Sequence, residues 1–316
     1  MPKLKVLLCF VLTSACFTSF SQSWVSEVAP TPNALNINTN NFFTVTFSED
    51  IDQASLSDSS VVVYGDLSGF HESILIYDAG TRFMSISPTP PFIKGELISI
   101  TLTTAIKNTN GDAMPDAYTW NCRVKTDVAT GNLIGQAPIL TGTNPYAITA
   151  ADFDNDDRID LATANRGAGT VSILENTDSA GFSSANTIPV GNLPEGITAG
   201  DFNRDGLFDL AVANNASNSV SILINSGDFN FSNDQTLFNV STPHGIQNRD
   251  IDGDGDLDII TANFGDGRLG IYTNDGTGNF SLATSTVVGG FPERPLVRDF
   301  DNDGDIDLAS QNFTGG

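Results

Sequence analysis

The chain has 316 residues, enough for about two domains, and carries 38 acidic against 14 basic residues for a net charge of −24. So acidic a balance excludes nucleic acid or an anionic membrane as a partner held by bulk charge. Only three cysteines are present, two of them within the first 16 residues, which excludes a disulfide framework.

The chain opens like an export signal. Met1-Pro-Lys-Leu-Lys5 is a basic start, Val6 to Leu12 is an apolar core, and the small, polar Thr18-Ser-Phe-Ser21 leads to a cut before Gln22. Residues 1–21 are therefore expected to be a cleaved signal peptide of a secreted or cell-surface protein. The apolar run is too short to span a bilayer, and no membrane span is expected. The alternative is a lipid anchor on Cys16 in Thr13-Ser-Ala-Cys16, although threonine three places before the cysteine is a poor match. Cleavage leaves Cys122 alone. It alternates with Trp120 and Val124, the pattern of a buried strand residue.

Residues 22–127 alternate with period two and show no sustained helical period. Strands are expected at Phe42–Phe47, Val61–Tyr64, Ser73–Tyr77, Arg82–Ser87, Glu96–Thr103 and Tyr118–Lys125. Asp78-Ala-Gly80, Pro88-Thr-Pro-Pro91 and Asn110-Gly-Asp112 read as turns between them. About seven short strands in roughly 100 residues make a β-sandwich. The segments Phe43-Thr-Val-Thr-Phe-Ser-Glu-Asp-Ile-Asp52 and Ala105-Ile-Lys-Asn-Thr-Asn-Gly-Asp-Ala113 resemble the bacterial Ig-like modules of surface-layer and adhesin-type proteins. That resemblance implies a spacer.

Residues 128–136 are small and polar and read as a linker. From 137 to 316 the chain repeats with a period of 49 residues. Pro145, Pro194, Pro243 and Pro292 keep this spacing, as do Asn165, Asn214, Asn263 and Asn312, and Phe182, Phe231 and Phe280. Four short apolar runs recur per repeat; in the first they are Ala147–Phe153, Ile159–Ala164, Val171–Leu174 and Ser184–Val190. One four-stranded sheet cannot bury both faces alone, and stacking sheets around an axis covers them. The fold class is therefore all-β, a sandwich followed by a partial β-propeller. A solenoid is the rival, but its coils are usually shorter. Ala137–Gly142 aligns with Thr187–Gly191 and is expected to be an outer strand that helps close a ring. Fewer than four periods fit before Gly316, so the chain reads as part of a longer protein.

Each repeat carries an acidic nonapeptide of the form D-x-[D/N]-x-D-[G/D]-x-x-D. Eighteen of the 38 acids lie in these four loops. Positions one, three, five and nine offer side-chain oxygens, and position seven offers its carbonyl, so its side chain is free to vary. The expected ligands are Asp152, Asp154, Asp156, Arg158 (carbonyl) and Asp160; Asp201, Asn203, Asp205, Leu207 (carbonyl) and Asp209; Asp250, Asp252, Asp254, Asp256 and Asp258; and Asp299, Asp301, Asp303, Asp305 and Asp307. Carboxylates this crowded repel one another unless a hard cation sits among them. An oxygen-only shell suits Ca²⁺, about one ion per loop, rather than Zn²⁺, with Mg²⁺ second. EF-hands are excluded, because position twelve is Thr163, Val212, Thr261 or Ser310 rather than Glu, and the flanks read as strands.

These loops resemble the FG-GAP and VCBS repeats of extracellular β-propellers, including those of integrin α-chains. The resemblance implies a hairpin whose connecting loop wraps one Ca²⁺. Two copies depart from it. Asp157 stands where Gly is usual, a modest cost because Asp tolerates left-handed backbone. Asn203 leaves the second loop with three carboxylates, so that site is expected to be the weakest.

No catalytic constellation is legible. His71 and His244 are the only histidines, and no G-x-S-x-G is present. His244, in a short segment before the third loop, reads as a surface residue. Arg249 and Arg298, directly before loops three and four, read as local charge compensation. The chain is thus expected to be a non-enzymatic, calcium-stabilised scaffold presenting loops near the four prolines to an extracellular protein or glycan. The alternatives are an accessory region of a secreted enzyme acting on polysaccharide or phospholipid, and a plain structural spacer.

Overall fold

The computed structural model describes residues 24–89, 91–127, 138–177, 181–238, 240–301 and 303–313. The expected signal peptide and linker lie outside them. Contacts divide the chain into two compact units. One holds the described residues up to 127 with 250–255 and 298–307, and the other holds the described remainder.

Among the described residues the N-terminal module has eight strands: β1 (Val25–Ala29), β2 (Ala34–Ile37), β3 (Phe43–Phe47), β4 (Val61–Gly65), β5 (Gly69–Asp78), β6 (Phe83–Thr89), β7 (Leu97–Leu102) and β8 (Tyr118–Val124). A single turn of 3-10 helix, Gln53–Ser55, is capped by the Asp52 carboxylate, which accepts from the Ala54 N–H. Strand order is β1-β3-β6-β5-β4-β7-β8-β2. The long β5 turns the corner: Gly69–His71 pairs with β4, while Glu72–Asp78 pairs with β6. The sheet thereby closes over one core, in which Phe43, Val45, Met84 and Ile86 meet Val61, Val63, Ile98, Ile100 and Trp120. Phe43 and Trp120 pack edge to face at 6.3 Å.

The alternation places these faces correctly. Phe43, Val45 and Phe47 are buried, as are Ile98, Ile100 and Leu102. Cys122 is fully buried and free, and burial pushes its thiol up to about 12. Two details differ from expectation. Pro88 does not start a turn, because β6 continues through Thr89 and Pro88 pairs with Ser73. Strands β1 and β2 were not signalled: β1 buries only Val28 fully, and Asn33 and Asn36 at β2 adopt left-handed φ values of 60° and 63°.

The repeats form three four-stranded antiparallel meanders and a fourth, two-stranded pair. Their strands are β9 (Pro145–Ala151), β10 (Asp160–Asn165), β11 (Thr170–Asn176) and β12 (Phe182–Pro189); β13 (Pro194–Gly200), β14 (Asp209–Asn214), β15 (Ser219–Asn225) and β16 (Phe231–Leu237); β17 (Pro243–Arg249), β18 (Asp258–Asn263), β19 (Arg268–Asn274) and β20 (Phe280–Val287); and β21 (Pro292–Arg298) with β22 (Asp307–Asn312). The first three are propeller-type blades, each complete within one period. Residues 138–142 are accordingly not in a strand. Instead the Gly142 N–H donates to Ser172 Oγ at 3.3 Å, and a Cβ on Gly142 would lie 2.6 Å from Asn165. The alignment with Thr187–Gly191 reflects a shared glycine turn, since Gly191 meets Asn214 in the same way.

Each repeated proline begins a strand, where no ladder donor is needed. Each repeated asparagine ends one, and the first two reach the following strand: Asn165 Nδ2 donates to Ser172 Oγ at 2.9 Å and Asn214 Nδ2 to Ser221 Oγ at 3.0 Å. A small-residue core runs through the first two blades, from Ala162, Ala164, Val171 and Ile173 to Leu210, Val212 and Leu223.

Candidate metal sites

The acidic loops connect the first two strands of each blade, so the antiparallel ladder brings both ends of every nonapeptide together. Position six is left-handed throughout, with φ of 65° at Asp157, 86° at Gly206, 96° at Gly255 and 92° at Gly304. Asp157 does take the glycine conformation. Position four is left-handed as well, at Asn155, Arg204 and Gly253. These turns point backbone N–H groups inward, and the position-one carboxylate collects them. Asp152 accepts from the N–H groups of Asp156 and Asp157, and Asp201 from those of Asp205 and Gly206. Asp250 accepts from Gly253 and Gly255, and Asp299 from Gly304.

Position nine is buried and braces the blade. Asp160 accepts from the Phe153 N–H at 3.0 Å and from the Asn176 N–H at 2.7 Å. Asp209 does the same with Phe202 and Asn225, and Asp258 takes the N–H of Asn274. In the fourth loop Asp307 accepts from Phe300. At position three, Asn203 and Asp252 accept the N–H groups of Asp205 and Asp254, whereas Oδ1 of Asp154 is buried and has no hydrogen-bond partner.

Three groups of carboxylates converge within 4.8 Å: Asp152, Asp154 and Asp160; Asp250, Asp252 and Asp254; and Asp299, Asp301 and Asp303. Each group could hold a metal ion. Asn203 keeps the second loop out of this set, and its amide donates to Asp205 Oδ2 at 2.9 Å. Burial and crowding act on the carboxyls. Asp154 is pushed up to about 6 by burial, then by Asp156, Asp160 and Asp152. Asp250 rises to about 7 through burial and its neighbours Asp254 and Asp252. Burial alone leads for Asp201, at about 6, and Asp209, at about 7.

Two position-seven side chains, whose expected contribution to the site is only the backbone carbonyl, make ion pairs of their own. Arg158 makes an ion pair with Asp156, and its Nε donates to the Asn176 carbonyl. Asp256, at position seven, pairs at 2.6 Å with Arg204 of the preceding loop. The cations that compensate these loops thus include Arg158 and Arg204, which the reading of Arg249 and Arg298 overlooked.

The sequence-level reading also missed how one loop is tied to the next blade. Asn176, Asn225 and Asn274 repeat every 49 residues. Asn225 Nδ2 donates to the Phe153 carbonyl of the previous loop at 2.8 Å and to its own Phe208 carbonyl at 3.2 Å. Asn274 does likewise with Phe202 and Leu257. Beside each bond the position-two aromatic packs edge to face on the next blade, Phe153 on Phe231 at 5.7 Å and Phe202 on Phe280 at 5.3 Å.

Family comparison matches both parts of the chain. Residues 22–124 match the bacterial Ig-like domain, and residues 152–212 and 250–310 match the FG-GAP-like repeat. The chain joins a bacterial Ig-like domain to FG-GAP-like repeats. No curated protein matches the sequence. Among solved structures, the N-terminal part of the bacterial S-layer protein SbsC matches with TM-score 0.25 and 14% identity, over 63% of this chain and 40% of that one. The chain therefore spans less than half the length of that relative. A protein from Lactobacillus plantarum matches with TM-score 0.40 and 14% identity, over 80% and 76%. An Agrocybe aegerita lectin, described as recognising non-reducing terminal N-acetylglucosamine, matches with TM-score 0.37 and 15% identity, over 82% and 72%. Scores this low carry no argument about function.

The histidines of this Ig-like and FG-GAP-like chain are both on strands. His71 is buried, and its Nε2 lies 2.7 Å from Ser68 Oγ, which donates to Glu96 Oε2 at 2.7 Å. The carboxylate therefore engages the hydroxyl directly, and burial raises the Glu96 pKa. His244 lies on β17 with its side chain 22% exposed, stacked on Phe264 at 4.2 Å. It is not the surface loop residue that its position before the third acidic loop suggests. Among the described residues no helix is long and apolar enough to cross a membrane.

Proposed function

We propose that this chain is an exported scaffold whose FG-GAP-like loops each bind one Ca²⁺ and whose blades present a surface to an extracellular protein or glycan. The observation that carries the reading is the convergence of three carboxylates within 4.8 Å in loops one, three and four, with Asp154 Oδ1 buried and lacking a donor. The ligands are those of positions one, three, five and nine with the carbonyl of position seven. Oxygen donors alone on a tight turn favour calcium. Extracellular calcium sites bind at about 10⁻⁴ to 10⁻³ M, so they are filled outside the cell and act as staples. A cation tenfold above its Kd adds about 1.4 kcal/mol per site to the folded state. Bacterial Ig-like and FG-GAP-like modules are typically non-catalytic, which fits a scaffold.

The test is thermal unfolding and native mass spectrometry with calcium and with EGTA, followed by glycan-array and pull-down binding in both conditions. The reading expects bound ions, a higher Tm with calcium and calcium-dependent capture of a ligand. An unchanged Tm and no bound ion would refute it.

A further inference from the structure

Resting on the scaffold reading, we propose that the inner strands of the blades form a binding pocket for a neutral, hydroxyl-rich ligand such as a sugar ring. A cavity of about 380 Å³ is lined by β9, β13, β17 and β21, within the range of small-ligand sites.

One position of the repeat supplies a lining residue from every blade. Tyr146, Glu195, His244 and Glu293 each follow a repeated proline and stand 49 residues apart. In the first three blades this residue is bulged out of the ladder: Pro194 pairs with Asn214 and Gly196 with Ala213, leaving Glu195 unpaired. A bulge of this kind re-aims a side chain. The neighbouring position must stay small in blades two and three. A Cβ on Gly196 would lie 2.7 Å from the His244 carbonyl, and one on Gly245 would lie 2.4 Å from that of Glu293. Pro and bulge thus recur in the first three blades while the projecting side chain changes from phenol to carboxylate to imidazole.

In the first and third blades the residue after the repeated asparagine packs on the projecting side chain. Arg166 lies over the Tyr146 ring at 5.6 Å and donates to Glu195 Oε1, and Phe264 stacks on His244. The Glu195 side chain is only 3% exposed. Its Oε2 has no hydrogen-bond partner and lies 3.4 Å from His244 Nε2. A buried acceptor without a donor destabilises the unliganded site, and a ligand hydroxyl would satisfy it.

The charges around the cavity balance. Glu195 pairs with Arg166, and the lining holds one further acid, Glu293, and one base, Arg294, which favours neither a cation nor an anion. Hydroxyls, which both donate and accept, match this mixed lining. The exposed Tyr146 and Ile148 on β9, at 53% and 60%, offer apolar surface to the C–H face of a ring.

The experiment uses the full chain with calcium, titrated with the methyl glycosides of glucose, galactose and mannose and with N-acetylglucosamine. Propylammonium and acetate serve as charged probes. We expect at least one sugar to bind and neither ion to compete. Glu195→Gln should weaken binding at least tenfold with Tm unchanged. Tyr146→Ala, on the exposed rim, should weaken it as well and serves if the first variant does not fold. The pocket is overturned if no sugar binds, if propylammonium binds tighter than every sugar, or if the folded variants bind as wild type. Calcium-dependent array binding that survives both variants would overturn the pocket alone. A Tm indifferent to calcium would instead overturn the scaffold reading.

Discussion

Asp160 is fully buried, and both of its oxygens already accept backbone N–H donors. Asp154, six residues away, has a buried oxygen with no donor and a carboxyl pushed up to about 6. The same residue type therefore responds oppositely to truncation. Asp160→Ala strands two buried N–H groups at about 1–3 kcal/mol each, so it should lower the Tm already in EGTA and, with a position-nine ligand gone, lower it further in calcium. Asp154→Ala should leave the chelated protein as stable as before, or more so, while shrinking the gain that calcium provides; paired melts with and without EGTA separate the two. In the second loop, Asn203→Asp restores the fourth carboxylate and should tighten calcium about tenfold by calorimetric titration, a difference of about 1.4 kcal/mol. A second site that is already the tightest in the wild type would contradict this ranking.

Strands and blades were legible where alternation meets a buried face. Phe43, Val45 and Phe47 announce β3 because every second side chain enters the core. Strand β1 was not, because only Val28 among its five residues is fully buried, and β2 was not, because its asparagines take φ values that interrupt the pattern. The blade-to-blade ties were visible only as a spacing. Nothing local says that Asn225 reaches a carbonyl 72 residues earlier. Asn225→Ala and Asn274→Ala should each cost about 2 kcal/mol, since two carbonyls lose a donor apiece. Hydrogen exchange should show the extra opening at the mutated blade and the loop before it; a loss spread evenly over all blades would show that the asparagine does not join them.

At the scale of the whole molecule the acidic loops set a pH response. In the metal-free protein the carboxyls of Asp154, Asp201, Asp209 and Asp250 are raised to about 6 or 7 from an ordinary 3.8. Between those values the folded chain binds more protons than the unfolded one, so stability falls as pH rises from about 4 to 7. Urea titration of EGTA-treated protein should show that fall, and calcium should remove it by replacing the lost protons as counter-charge. A chelated protein equally stable at both ends would contradict it. Sequence alone determined the all-β class, the 49-residue period and the acidic turns. Those signals are local: a strand alternates every two residues, and the turn closes within nine. Tertiary structure decided which oxygens are left without donors, how Asn225 and Asn274 tie consecutive blades, and that Tyr146, Glu195, His244 and Glu293 face one cavity. Those properties depend on distances between residues one repeat or more apart, and only the packed sheets set such distances.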